Sequence, residues 1–228
     1  MSLSDLEIIL FPHILKKMKV TLIDYDSIKK TITAARTSHG SESDNMGPKD
    51  KKLIRNLIKW KHTSIFEHCS YTFKIEGVSR ALLQELVRHR MASYTVRSTR
   101  YTLKDLTKDK DIEKAKSLSG YKKIVERYCV VPELPDKVLE KFYETTAQNL
   151  KYILLFLSKY KLSNDLIKYL LPESFKTELV MTLNVRSFRN FLKLRTSKAA
   201  LWEIRTLGLM MYKSIPKDHK ILYEDLNL

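Results

Sequence analysis

Apolar residues recur along most of this chain, and their period sorts them into elements. Residues 20–25 alternate Val20 and Leu22 with polar neighbours, and 6–10 is a short apolar run, so both are predicted strands. Ser27 is a candidate N-cap for a helix running through Ala35. Residues 39–50 hold Gly40, Gly47 and Pro48 among Ser and Asn, which predicts a loop. From 48 to 61, Leu53, Leu57, Ile58 and Trp60 fall at roughly helical spacing. Residues 70–75 place Tyr71, Phe73 and Ile75 on one side of a strand that Gly77 should end. A helix is expected over 78–90, with Leu82, Leu83, Leu86 and Val87 on one face. Residues 102–119 are charged and poor in large apolar side chains, which predicts a mobile loop or a short surface helix. Helices are expected over 136–160, after Ser163 as far as Pro172, over 187–194 and over 199–214, with Pro216 ending the last. Residues 177–185 read as a strand. No linker and no repeat divides the chain. The expectation is one α+β domain, 1–228, with helices around a small central sheet.

Charge changes this picture more than composition does. The chain carries 42 basic and 26 acidic side chains, a formal net charge of +16, while its 43% apolar content is ordinary for a globular protein. The run Tyr152-Ile153-Leu154-Leu155-Phe156-Leu157 is far shorter than the ~20 residues of a membrane span. Residues 1–10 carry two acids and no basic residue, unlike a secretory signal. The two cysteines, Cys69 and Cys129, form no CxxC pair, so a reducing cytoplasm is the expected setting. Basicity on this scale suits a nucleic acid, small anions, or a solvated lysine surface. The arginines are more informative. Of twelve, five lie between Arg80 and Arg100 and four between Arg186 and Arg205, which suggests an anion pocket assembled from two segments.

The first of these segments runs Arg88-His89-Arg90-Met91-Ala92 and then Ser93 to Tyr101, where only Val96 lacks a polar donor. Such a run could wrap a phosphate; equally, cations at a helix end could complement its dipole ahead of a solvated turn. In the second, Arg186 and Asn190 are four apart and share a helix face, with Arg195 at the helix end; a basic solvent face is the simpler reading. His62, Glu67 and His68 have no metal-site spacing. GxGxxG, a Walker loop and GxSxG are absent.

The string Arg88-His89-Arg90, seven residues, then Ser98 resembles the signature of the flavin-dependent thymidylate synthases (the ThyX type). The likeness continues in order: Ala34-Ala35-Arg36-Thr37-Ser38, His62 through Glu67-His68, Ser93-Tyr94, Ser98-Thr99-Arg100-Tyr101, Leu171-Pro172, Thr182 to Ser187, Asn190-Phe191-Leu192, Leu194-Arg195 and Trp202-Glu203-Ile204. The resemblance implies reductive methylation of dUMP to dTMP, with methylenetetrahydrofolate as carbon donor and FAD and NADPH as hydride source. It also implies a homotetramer with active sites at subunit interfaces, a cytoplasmic setting, and neither a metal, a membrane nor a nucleic-acid polymer as partner. By resemblance, Arg88, Val96, Arg97, Ser98, Thr99, Arg100 and Lys168 hold dUMP, with Glu85, Leu86 and Val87 beside them. Arg195 meets the uracil edge as the catalytic residue. Ser38, His62, Ser64, Arg88, His89, Arg90, Val96, Asn184, Arg186 and Asn190 belong to the FAD side.

The chain departs from the family pattern at several places. Glu85 stands where Gln is common, and a ribose hydroxyl is the partner expected for its carboxylate. Lys168 replaces an Arg and gives up the bidentate fork. Thr95-Val96 replaces Asn-Glu. Ala199 replaces a flavin-side His, so loosely held FAD is expected. Two other readings of the residues stand beside the synthase: a basic nucleic-acid binder without catalysis, and a generic flavin reductase.

Overall fold

The computed structural model describes residues 18–38, 40–41 and 47–228. The predicted strand at 6–10, the segment 1–10 judged unlike a signal, and residues 39 and 42–46 of the predicted loop 39–50 lie outside them. Four strands form one sheet in the order β1-β2-β4-β3: β1 Lys19–Tyr25, β2 Ser70–Ser79, β3 Ala92–Val96 and β4 Lys176–Asn184. Strands β1 and β2 are antiparallel, with Val20 opposite Ile75 and Leu22 opposite Phe73, and an irregularity between Leu22 and Asp24. The helices are α1 Lys29–Thr37, α2 Pro48–Lys59, α3 Arg80–Leu86, α4 Thr99–Lys108, α5 Asp111–Lys114, α6 Leu118–Tyr128, α7 Asp136–Ser158, α8 Asn164–Ile167, α9 Val185–Arg195 and α10 Trp202–Ser214. Short 3-10 segments occupy Ser64–His68, Lys168–Leu170 and Lys217–Leu226. The α+β class expected from the sequence holds.

Contacts gather the chain into two compact units. One holds the described residues up to Glu76 together with Gln84–Thr95 and Leu179–Leu228; the other holds Gly77–Leu83 and Val96–Glu178. In the first, the period-2 pattern of β2 buries Tyr71, Phe73 and Ile75, and β4 buries Leu179, Met181 and Leu183. Helix α9 presents Phe188, Phe191 and Leu192, all buried, and the Phe188 ring sits 5.7 Å from Tyr71 and 5.6 Å from Phe73 between centroids. Each such aromatic contributes on the order of 2 kcal/mol of burial, which holds α9 in place and fixes where its opposite face points. In the second unit, α7 buries Ala147, Leu150, Ile153 and Leu154 among Leu103, Leu106, Ile112, Val125 and Phe175.

Several elements differ from expectation. Gly77 does not end β2; it takes φ +73° and the strand continues to Ser79. The predicted helix 78–90 contracts to α3, so Arg88, His89 and Arg90 follow the helix as a turn. Residues 92–96, read as a donor-rich loop, are strand β3, since Tyr, Thr and Val suit a pleated strand. Of the two alternatives for 102–119 the helical one holds: the stretch is largely helical, and Leu103, Leu106 and Ile112 are fully buried. The predicted loop 39–50 gives way at Pro48, where α2 begins with Gly47 as N-cap and Asp50 in its first turn. Ser27 precedes α1, its Oγ accepting from the Lys29 N–H at 3.3 Å, but Ile28 is the cap residue.

Candidate active site

Helix α9 starts where β4 stops. The Asn184 side-chain oxygen caps it by accepting the Ser187 N–H at 2.8 Å, and the Val185 N–H donates to the Cys69 carbonyl at 2.8 Å. With Phe188, Phe191 and Leu192 turned into the core, Arg186 and Asn190 are left on the other face. They line a cleft of about 620 Å3 together with Arg88, His89, Arg90, Asn184 and Arg195. That volume lies within the usual range for ligand pockets. The two arginine clusters do converge here, but only in part. Arg189 instead pairs with Asp225 at 2.7 Å, and Arg205 donates to the Lys198 carbonyl at 3.2 Å.

The turn after α3 is exposed but braced. Tyr94 is half-buried; partial burial pushes its hydroxyl pKa up to about 12, and the hydroxyl donates to the carbonyls of Leu86 at 2.9 Å and His89 at 2.8 Å. Arg195 Nε donates to His89 Nε2 at 2.8 Å, which requires an unprotonated Nε2 and places the ring proton on Nδ1. Burial, then the neighbouring Arg195 charge, hold the His89 pKa below its ordinary value, so the imidazole is neutral near pH 7. Its ring meets Phe191 edge-on at 4.9 Å. Glu85 accepts from Arg195 Nη1 at 2.7 Å, and its other carboxylate oxygen lies 3.7 Å from Arg88 Nη1. Within the cleft, Arg186 is paired with Glu67.

The second unit holds the other predicted anion contacts. Ser98 caps α4, its Oγ accepting from the Arg100 N–H at 3.4 Å. Thr99 is the first residue of that helix, so its dipole favours an anion there, although the Arg100 N–H is taken by Ser98 Oγ and the Tyr101 N–H by the Ser98 carbonyl. Arg100 and Lys168 share Asp165, at 3.2 Å and 2.6 Å. The Arg97 N–H donates to the Glu178 carbonyl at 2.9 Å, and its guanidinium pairs with Asp105 at 2.8 Å; its side chain serves the fold. Val96, the last residue of β3, is exposed.

Not every predicted site residue joins either group. The Leu86 side chain is fully buried and its carbonyl is taken by Tyr94, so Leu86 belongs to the core; Val87 is exposed. Ser38 caps the end of α1 by donating to the Ala35 carbonyl at 2.8 Å. His62 and Ser64 are exposed and line no part of the cleft. The Ala-Ala-Arg stretch is structural at Arg36, which grips the buried Asp50 at 2.6 Å. The sequence reading missed Glu67, Met91, Ala92, Leu183, Ser187 and Leu194 in the cleft, and Tyr94 as its brace. All of them lie within the motifs that carry the family likeness or the Arg88–Tyr101 run, where none had been given a role. Among the described residues no three His, Cys, Asp or Glu side chains converge on a metal-sized site.

A four-stranded sheet carrying an arginine- and carboxamide-lined cleft defines an α+β protein built to hold small anionic ligands. The family model described as thymidylate synthase complementing protein matches residues 21–219. The chain is 43% identical over 209 residues to the flavin-dependent thymidylate synthase of Wolinella succinogenes, covering 90% of this chain and 97% of that one. It is 40% identical over 210 residues to that of Campylobacter jejuni, covering 91% and 96%. A crystal structure of thymidylate synthase X from Helicobacter pylori with FAD and dUMP superposes with a TM-score of 0.82 at 35% identity, covering 92% of this chain and 99% of that one. The chain belongs to the flavin-dependent thymidylate synthase family.

Proposed function

We infer that this chain converts dUMP to dTMP with a flavin, in keeping with the names of its relatives and with the Helicobacter protein that was crystallised with FAD and dUMP. One observation carries the reading: Arg88, Arg90, Arg186 and Arg195 converge with Asn184 and Asn190 on one cleft of about 620 Å3. This donor set fits FAD. Arginine forks suit a pyrophosphate, and carboxamides suit the carbonyl and N–H edges of a flavin ring. Asn184 spends its oxygen on the α9 cap, so its amide N–H2 group is what a ligand meets. Arg90, Arg186, Asn190 and neutral His89 complete the flavin side of this cleft, which His62, Ser64 and Ser38 do not line. Bound flavin would supply the hydride, with NADPH as its reductant and methylenetetrahydrofolate as carbon donor.

The nucleotide contacts are those that the family resemblance implies. Ser98, Thr99, the α4 N-terminus, Arg100 and Lys168, all in the second unit, suit a phosphate dianion; Arg88, in the first, is a nucleotide contact that the resemblance implies. The Arg195 guanidinium lies at the uracil edge, where it favours the N3-ionised base and raises electron density toward C5, the carbon to be alkylated. Four copies of the chain are proposed to assemble, with sites at their interfaces. The purified chain, given dUMP, methylenetetrahydrofolate, NADPH and FAD, should form dTMP, and should lose most of that activity after dialysis without FAD because Ala199 offers the flavin no imidazole. Formation of dTMP unaffected by omitting FAD would contradict the assignment.

A further inference from the structure

Arg195 is gripped on three sides before any ligand arrives. Its Nε–H donates to His89 at 2.8 Å, one Nη to the Glu85 carboxylate at 2.7 Å and the other Nη to the Glu85 main-chain carbonyl at 3.2 Å. Glu85 therefore holds the guanidinium twice. A guanidinium has five N–H donors. The three bonds leave one N–H on each Nη for a ligand. Arg195, His89 and Arg88 line the cleft, whereas Glu85 does not. Its carboxylate lies between Arg195 and Arg88, 3.7 Å from the latter.

We propose that Glu85 is a positioning residue for Arg195: it fixes the plane of the guanidinium so that the two remaining N–H groups meet the substrate in one orientation. This rests on the role given to Arg195 above. The backbone bond alone ties α9 to the last turn of α3. Beside the His89 bond and the Glu85 carbonyl, the carboxylate adds a third point that restrains rotation of the Arg195 guanidinium, and a displacement of about 1 Å at a reacting group costs on the order of a hundredfold in rate. A direct bond from Glu85 to the sugar, as expected from the sequence, is replaced by action through Arg195.

The test is steady-state turnover of dUMP by the full chain with FAD, methylenetetrahydrofolate and NADPH, in Glu85→Ala, Glu85→Gln, Arg195→Ala and the double alanine variant. Glu85→Ala should lower kcat about 10- to 100-fold while the KM for dUMP moves by less than about threefold. Glu85→Gln, whose amide oxygen still accepts from Nη1, should recover most of kcat. The double variant should be no slower than Arg195→Ala alone. Multiplying losses in the double variant, or a Glu85→Gln as slow as Glu85→Ala, would overturn the proposal. Full turnover by Arg195→Ala would instead remove the assignment of Arg195, a distinguishable failure. Should Glu85→Ala not fold, Glu85→Gln with an NMR titration of His89 decides. Arg195 still in place, and the negative charge gone, should move the His89 pKa further down; a return toward the ordinary histidine value would show that Arg195 has swung away and would overturn the proposal.

Discussion

Tyr94 shows how one hydroxyl can set the geometry of a whole turn. It donates to both the Leu86 and His89 carbonyls, and so fixes the backbone that carries Arg88 and His89. Tyr94→Phe should cost about 1–2 kcal/mol in a urea titration, because the His89 carbonyl loses this donor and the Leu86 carbonyl keeps only the His89 N–H. It should also weaken flavin binding; unchanged stability would contradict the bracing role. The histidines supply a second prediction at this scale. Burial, the larger cause, and then Arg195 hold His89 low; burial holds His219 low, while Asp218 pulls it up. A lowered folded pKa means that the unfolded chain binds the proton more tightly. The stability these groups contribute is thus complete above about pH 6.5 and is lost as pH falls from there toward the folded values. Melting temperature should drop between about pH 7.5 and 5.5, and His219→Asn, which keeps no ring to protonate, should shrink the drop. An equal drop in that variant would rule out His219 as a source. The residue types of the site were legible in the sequence, but their partners were not. His89 and Arg195 are 106 positions apart, and a local pattern carries no information about such a pair.

Among the elements, the most periodic were the most legible. The helix predicted over 136–160 is α7, Asp136–Ser158, and the alternation of Tyr71, Phe73 and Ile75 is the buried face of β2. Polar composition hid strand β3 and left 102–119 open between a mobile loop and a short surface helix. Strand β3 carries hydroxyls that suit a strand edge as well as a phosphate. Helix α4 buries only Leu103 and Leu106, a stripe too sparse to register against its charges. Gly77 was taken for a stop, and its positive φ instead lets the strand continue. Gly77→Ala should therefore cost about 1–2 kcal/mol by thermal denaturation, since a Cβ is disfavoured at that φ. A neutral substitution would mean that the strand there adopts another backbone. The Arg36–Asp50 pair joins α1 to α2, with Asp50 buried. Asp50→Ala strands a guanidinium and should cost about 3 kcal/mol.

The +16 charge of the whole molecule divides into working and structural shares. Arg88, Arg90, Arg186 and Arg195 line the cleft, while Arg36, Arg55, Arg97, Arg127 and Arg189 are tied to carboxylates elsewhere. Arginine clustering in the sequence pointed to the right two segments, yet it could not separate Arg186 from Arg189. The helical phase separates them, because the core claims Phe188 and Phe191 and turns Arg186 to the cleft. Binding of dUMP should weaken as salt rises toward about 1 M, where screening acts within ~3 Å. Among the described residues no helix is long and apolar enough to cross a membrane.

The most direct measurement is tritium release to water from dUMP labelled at C5, with the purified chain, FAD, NADPH and methylenetetrahydrofolate. Alkylation at C5 must expel the hydrogen there, so release should track dTMP formation, require added FAD and collapse in Arg195→Ala. Flavin absorbance bands without tritium release would leave a flavin reductase, and would contradict the synthase assignment.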